Sequence, residues 1–172
     1  VLCGGCATNP VTGKSDVVTM TAEQEVAIGR DAHPKILQKY GRYDDEELQA
    51  YVSGIGQRIA AVSHRPDLQY TFTILDTEDI NAFALPGGVI LVTKGLLQTL
   101  ISESELTAIL AHEMGHIELS HCFDLVKFEL LAKKIDSHTL GYLADFAINL
   151  LVRHSFSKTL ENEADEYSFD IL

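Results

Sequence analysis

The sequence predicts an α+β domain, mostly helical, built around a small sheet. Apolar residues recur at helical spacing along most of the chain, whereas strand-like patterning is confined to two short runs in the middle. At 172 residues, 46% of them hydrophobic, the chain is long enough to bury one sizeable core.

Residues 7–19 are polar around Pro10 and Gly13 and read as a tether or extended lead-in, leaving residues 20–172 as the domain. Thr21 opens a first helix in which Val26, Ile28, Ile36 and Leu37 face inward; Pro34 is expected to kink or end it. His33, beside that break, reads as a surface or packing residue. Asp44 caps a second helix with Leu48, Tyr51, Val52, Ile55 and Ile59 at core spacing, and Gly54 and Gly56 predict close helix contacts. His64-Arg65-Pro66-Asp67 closes it in a turn. Between residues 69 and 75, Tyr70, Phe72 and Ile74 alternate with polar neighbours, as in a half-buried strand. Val89–Thr93 is a second strand, entered through Pro86-Gly87-Gly88. Ser102 and Glu105 form a capping box ahead of a core helix carrying Leu106, Ile109, Leu110, Met114 and Ile117. Residues 139–152 predict an apolar helix, flanked by His138 and His154; neither histidine has motif support, so each reads as structural.

Charge and composition exclude several roles. A net charge of −12 argues against a nucleic-acid surface, which needs a basic patch. Basic residues are too scattered to hold the chain on acidic lipid, and no apolar run approaches the roughly 20 residues of a spanning helix. Three cysteines make no disulfide framework. Cys3 and Cys6 have C-x-x-C spacing, but no strand–helix unit follows, as a thioredoxin site requires. The small residues before Cys6 fit the end of a lipoprotein signal, cut just ahead of a cysteine that becomes acylated. Residues 1–5 would then be signal remnant; an ordinary flexible tail is the alternative. Cys122 reads as a buried small hydrophobe rather than a metal ligand.

The chemistry concentrates in His112-Glu113-Met114-Gly115-His116. On a helix, residues four apart share a face, so both imidazoles reach one metal ion. Glu113, one position on from the first ligand, can touch a metal-bound water as general base without being a ligand itself. Gly115 costs a helix about 1 kcal/mol relative to Ala, so another backbone or side chain is expected to pack closely there. A catalytic zinc takes three protein ligands, and residues 157–165 offer a third. Glu161 and Asp165 share a helix face, the first as ligand, the second as acceptor of a ligating imidazole's free N–H. Glu163 points about 160° away from that face and is the weaker candidate.

H-E-M-G-H followed by E-N-E-A-D resembles the gluzincin metallopeptidases related to the CAAX prenyl protease and the HtpX heat-shock protease. Asn81-Ala82-Phe83-Ala84-Leu85-Pro86-Gly87-Gly88 resembles that family's N-A-F-A-x-P-G-G segment, and the stretch from Gly5 to Lys14 resembles its bacterial lipoprotein members. The resemblance implies a zincin-like domain whose edge strand flanks the active-site helix. It also implies one Zn²⁺ per chain held by His112, His116 and Glu161, with Glu113 catalytic and Asp165 behind a ligand. Asn81, Ala82, Phe83, Ala84, Gly87 and Gly88 would bind an extended polypeptide substrate through the strand edge. With Cys6 lipidated and Ala7 behind it, the location implied is the periplasmic face of a bacterial outer membrane, and the substrates are unfolded or misassembled envelope proteins.

Family members place a further His or Arg beyond E-x-x-x-D to stabilise the oxyanion. Seven residues follow Asp165, none of them His or Arg, though Tyr167 is close by. The domain is therefore expected to continue past Leu172, or to draw its electrophile from elsewhere. The rival functions are a non-catalytic chaperone or assembly factor on the same fold, which would have no need of Glu113, and a redox or heme-type metal protein built on Cys3, Cys6 and the histidines.

Overall fold

The computed structural model describes residues 6–8, 15–17, 21–126, 144–145, 147–149 and 156–172. Most of the apolar helix expected over 139–152, together with His138 and His154, lies outside the described residues. Within the stretch read as a tether, β1 (Cys6–Thr8) and β2 (Ser15–Val17) pair antiparallel.

Thr21 caps α1 (Ala22–Tyr40) through a complete capping box: its hydroxyl accepts from Gln24 N–H, and the Gln24 side chain accepts from Thr21 N–H at 2.8 Å. The helix runs through Pro34 rather than ending there. Ile28, Ala32 and Ile36, all fully buried, anchor it on both sides of the proline and offset the lost backbone hydrogen bond. Val26, expected inward, is 40% exposed, because it lies one position off the stripe formed by Glu25, Ile28, Ala32 and Ile36. Glu25 holds a core position as a carboxylate paired with Arg65 at 3.0 Å.

In α2 (Glu46–Ala60) the cap is Asp45, not Asp44; its carboxylate accepts from Leu48 N–H at 2.9 Å. Tyr51 is exposed rather than in the core, and its hydroxyl donates to Glu103 at 2.6 Å, tying α2 to the start of a later helix. The inward stripe is instead Gln49, Val52, Ile55 and Ile59.

Three strands form a mixed sheet in the order β3-β5-β4. β3 (Thr71–Leu75) runs parallel to β5 (Val89–Thr93), and β4 (Ala82–Leu85) runs antiparallel to it. Central β5 is buried along its whole length, which is why it reads as an unbroken apolar run. β3 is not half-buried as its alternation suggests: Phe72, Thr73, Ile74 and Leu75 are all buried. Gln49 explains part of this, since its amide nitrogen donates to Ile74 C=O (3.1 Å) and its amide oxygen accepts from Ile74 N–H (3.0 Å). That side chain closes the outer edge of β3 as a neighbouring strand would. The short α3 (Lys94–Leu97) follows β5 directly, and α4 (Glu103–Glu118) then packs against β4 and α2. No helix among the described residues is long and apolar enough to cross a membrane.

The two α2 glycines differ in what surrounds them, and neither makes the helix contact expected. A Cβ on Gly56 would sit 2.4 Å from the Phe72 ring of β3, whereas one on Gly54 would meet nothing within 4 Å. Gly56→Ala is expected to destabilise the fold by about 1–3 kcal/mol through overpacking. Gly54→Ala should stabilise it by up to about 1 kcal/mol through helix propensity. Urea denaturation of both variants checks the pair.

His33 joins α1 to β3, its Nε2 3.2 Å from Thr73 Oγ1, and burial lowers its pKa from the ordinary histidine value. Because the folded pKa is depressed, the unfolded chain takes up the proton first. The contribution to stability is complete above about pH 6.5 and is lost as pH falls from there towards the folded pKa. His33→Gln should therefore lose less stability than the parent between about pH 7.5 and about pH 5.5, as read by denaturation midpoints.

Candidate metal centre

Ser102 starts α4, its hydroxyl accepting from Glu105 N–H at 3.2 Å. The return bond of a capping box is displaced by one residue, since the Glu105 carboxylate accepts from Ile101 N–H instead. Burial of Leu106, Leu110, Met114 and Ile117 fixes the rotation of the helix. The last helix, α5 (Lys158–Ile171), is capped by the Ser157 hydroxyl and crosses α4 at Gly115. A Cβ on Gly115 would lie 3.0 Å from Ala164 O and 3.1 Å from Ala164 Cα, so its absence lets the two backbones meet. This close approach is what brings the α5 carboxylates onto the α4 histidines.

Three of the singled-out side chains converge. His112 Nε2 lies 3.2 Å from His116 Nε2, and Glu161 Oε2 lies 3.3 Å from the first and 3.7 Å from the second. A tetrahedral zinc with ligands at about 2.0–2.1 Å would separate ligand atoms by about 3.3–3.4 Å, so the three atoms are spaced to hold such an ion. Among the described residues no other trio of His, Cys, Asp or Glu is grouped in this way.

Each imidazole is held from behind through Nδ1. His112 Nδ1 donates to Asp165 Oδ1 at 2.8 Å, which leaves its Nε2 as a bare acceptor facing the site. His116, only 2% exposed, meets His121 instead, Nδ1 to Nδ1 at 3.1 Å, and His121 Nε2 lies 3.1 Å from Glu163 Oε2. Phe156 stacks on the His116 ring, centroids 4.0 Å apart and planes 16° from parallel. Its backbone N–H donates to Glu161 Oε1 at 3.1 Å, turning Oε2 towards the histidines. Burial, then the electrostatic influence of the neighbouring His112 and His121 rings, brings the His116 pKa down to about 3, so the ring is neutral at physiological pH. Glu113 moves the other way, to about 7: burial raises it most and Glu161 adds to that, while His112 and a backbone hydrogen bond at Ala84 pull it down.

Residues 46–172 match the profile described as Peptidase family M48. The chain belongs to that family. Mitochondrial metalloendopeptidase OMA1 of Schizosaccharomyces pombe is 30% identical over 170 residues, which cover 91% of this chain and 49% of that protein. A putative beta-barrel assembly-enhancing protease of Vibrio cholerae is 34% identical over 104 residues (60% of this chain, 21% of the relative). Metalloprotease LoiP of Escherichia coli is 33% identical over 111 residues (59% and 44%). The chain spans less than half the length of each of these relatives.

In this M48 domain the remaining candidates separate into two groups. Asn81 to Ala84 lie along the free side of the sheet, with Asn81 C=O accepting from Thr93 N–H at 3.0 Å. Hydrogen-bonded pairs alternate in an antiparallel ladder, so Phe83 faces β5 through its backbone while Ala82 and Ala84 point their backbone groups outward. Ala84 is already engaged: its C=O accepts from Cys122 Sγ at 3.5 Å, and its backbone meets Glu113. Gly87 and Gly88 are buried away from the strand edge, at φ +78° and +94°, in the turn from β4 to β5. A Cβ on Gly87 would lie 2.6 Å from Val26 Cα, and its N–H donates to Glu25 at 3.3 Å, so packing accounts for it. Cys122 is buried as expected, its thiol pKa pushed well up by that burial. Tyr167 is also buried, its ring centroid 5.4 Å from that of His64, and its hydroxyl has no partner among the described residues.

The sequence reading gives no role to His121 or Phe156 and weighs Glu163 only as the weaker ligand candidate. His121 is 5% exposed. Ser120 is the reason: at φ +62° it adopts the left-handed conformation that ends α4 and folds His121 back against His116. The acidic run of α5 hides Glu163, because helical spacing places it opposite Glu161 and says nothing of a second histidine beyond the α4 terminus.

Proposed function

We propose that this chain is a zinc-dependent endopeptidase domain, zincin-like in arrangement, that hydrolyses peptide bonds of unfolded or misassembled cell-envelope proteins. The observation that carries the reading is the approach of His112 Nε2, His116 Nε2 and Glu161 Oε2 to within 3.7 Å of one another, beside a glutamate held near neutrality. These three residues hold one Zn²⁺ per chain, and Asp165 orients His112. When bound, zinc supplies Lewis acidity to the scissile carbonyl and lowers the pKa of water for attack. Glu113 takes the proton from the attacking water and returns it to the leaving amine, work for which a pKa of about 7 suits it at neutral pH. Ala82 of β4 offers outward backbone groups to an extended substrate, two residues before Ala84, whose backbone meets Glu113. Backbone pairing selects for extended chain rather than for a particular side chain.

The named relatives support the setting: one is called a beta-barrel assembly-enhancing protease, which fits polypeptide substrates at a bacterial outer membrane. Cys6 acylation would anchor the domain there on the periplasmic side. An intact mass of the mature cellular protein with Cys6 unmodified would dismiss the anchor.

Cleavage of a labelled unfolded protein by wild type and Glu113→Gln tests the chemistry. The variant is expected to lose about 10²–10⁴-fold in rate while keeping the same zinc content by elemental analysis, whereas His116→Ala loses the metal. Equal cleavage by wild type and Glu113→Gln would sink the catalytic reading. A wild type that prevents client aggregation but cuts nothing would favour a chaperone.

A further inference from the structure

His116 and His112 face the same site, yet they are supported differently. His112, 23% exposed, has an α5 carboxylate directly on its Nδ1. The deeper His116 has another imidazole there, with a carboxylate one ring further out. We infer that His121 and Glu163 form a proton-ordered chain that holds His116 as its Nδ1–H tautomer and so presents a bare Nε2 to the metal. This rests on the zinc-site reading above.

The order follows from counting protons. A carboxylate only accepts, so the nitrogen facing it, His121 Nε2, carries a hydrogen. A neutral imidazole has one N–H, which leaves His121 Nδ1 bare. Two Nδ1 atoms 3.1 Å apart share a single proton, and it must then belong to His116. His116 Nε2 is left with its lone pair, 3.2 Å from the equally bare Nε2 of His112 and 3.7 Å from Glu161 Oε2. Burial keeps water from substituting, since His121 is 5% exposed. Left to itself, a neutral histidine could carry its proton on either nitrogen, and the Nε2–H form would put a hydrogen where a cation belongs. His121 and Glu163 are thus positioning residues, remote from the substrate.

Two neutral replacements of Glu163 separate hydrogen bonding from charge. Glu163→Gln keeps an acceptor oxygen, whereas Glu163→Met removes it at similar size; the side chain is 40% exposed, so both variants should fold. Zinc affinity is measured on the whole chain by competition with a chromogenic chelator, using Zn²⁺ alone. Glu163→Met and His121→Leu are expected to bind about 10–100-fold more weakly, with Glu163→Gln within about threefold of wild type. The Glu163→Met, His121→Leu double variant should be no weaker than the worse single, because one chain is broken once. Nitrogen-15 spectra of histidine-labelled protein should show His116 protonated at Nδ1. Equal affinities for Glu163→Gln and Glu163→Met, or a His116 protonated at Nε2, would overturn the chain while leaving the zinc site standing. A wild type that binds no zinc removes both.

Discussion

Three acceptor atoms aimed at one another are an unfavourable arrangement for protein alone. His112 Nε2, His116 Nε2 and Glu161 Oε2 each offer a lone pair into the same small space, and a cation would resolve the conflict. Holding them there requires that none rotate away. The outer contacts do that work: Asp165 on one ring, His121 and Phe156 on the other, and the Phe156 backbone on the carboxylate. The helix–helix contact does the rest. A Cβ at Gly115, 3.0 Å from Ala164 O, would push α5 back and so disturb the approach of Glu161 and Asp165.

The fold supplies stiffness where this arrangement needs it. Leu110, Met114 and Ile117 are almost wholly buried, and burying side chains of this size contributes roughly 1.5–3 kcal/mol each. That burial sets which face of α4 is turned to α5. Arg65 extends the same control to the sheet. It pairs with Glu25 and also donates to the Ile117 carbonyl near the end of α4 (3.4 Å), while Glu25 accepts from the Gly87 N–H. The turn that ends β4 and the helix that carries the histidines are therefore tied to one buried ion pair. The edge strand and the candidate metal ligands keep their relative positions through it.

The segments that carry the candidate ligands are legible because helical spacing is a rule of local geometry. His112, Glu113 and His116 within four positions, and Glu161 and Asp165 four apart, can be placed on a face without knowing the partner. The core of α1 and α2 was legible in part, for the same reason. What failed depended on neighbours far off in sequence. Tyr51 and Val26 look like core residues until Glu103 and the true stripe of α1 are known. β3 reads as half-buried because nothing nearby announces that Gln49 covers its edge. The residue pattern alone gives no strand at Ala82–Leu85, whose burial comes from α4; only the family resemblance points to a strand edge there. His121 was hidden by a single backbone torsion at Ser120, which a serine does not advertise.

Gln49 carries a consequence for how the sheet can be extended. A sheet with two open edges is a template for growth in both directions. With the Gln49 amide laid along Ile74, and Arg42 bridging Leu75, the β3 side of this sheet is closed by the protein itself. The β4 edge, beside α4 and its histidines, is the one left for a further strand, so that under the proposed function capture and cleavage would share one side of the sheet.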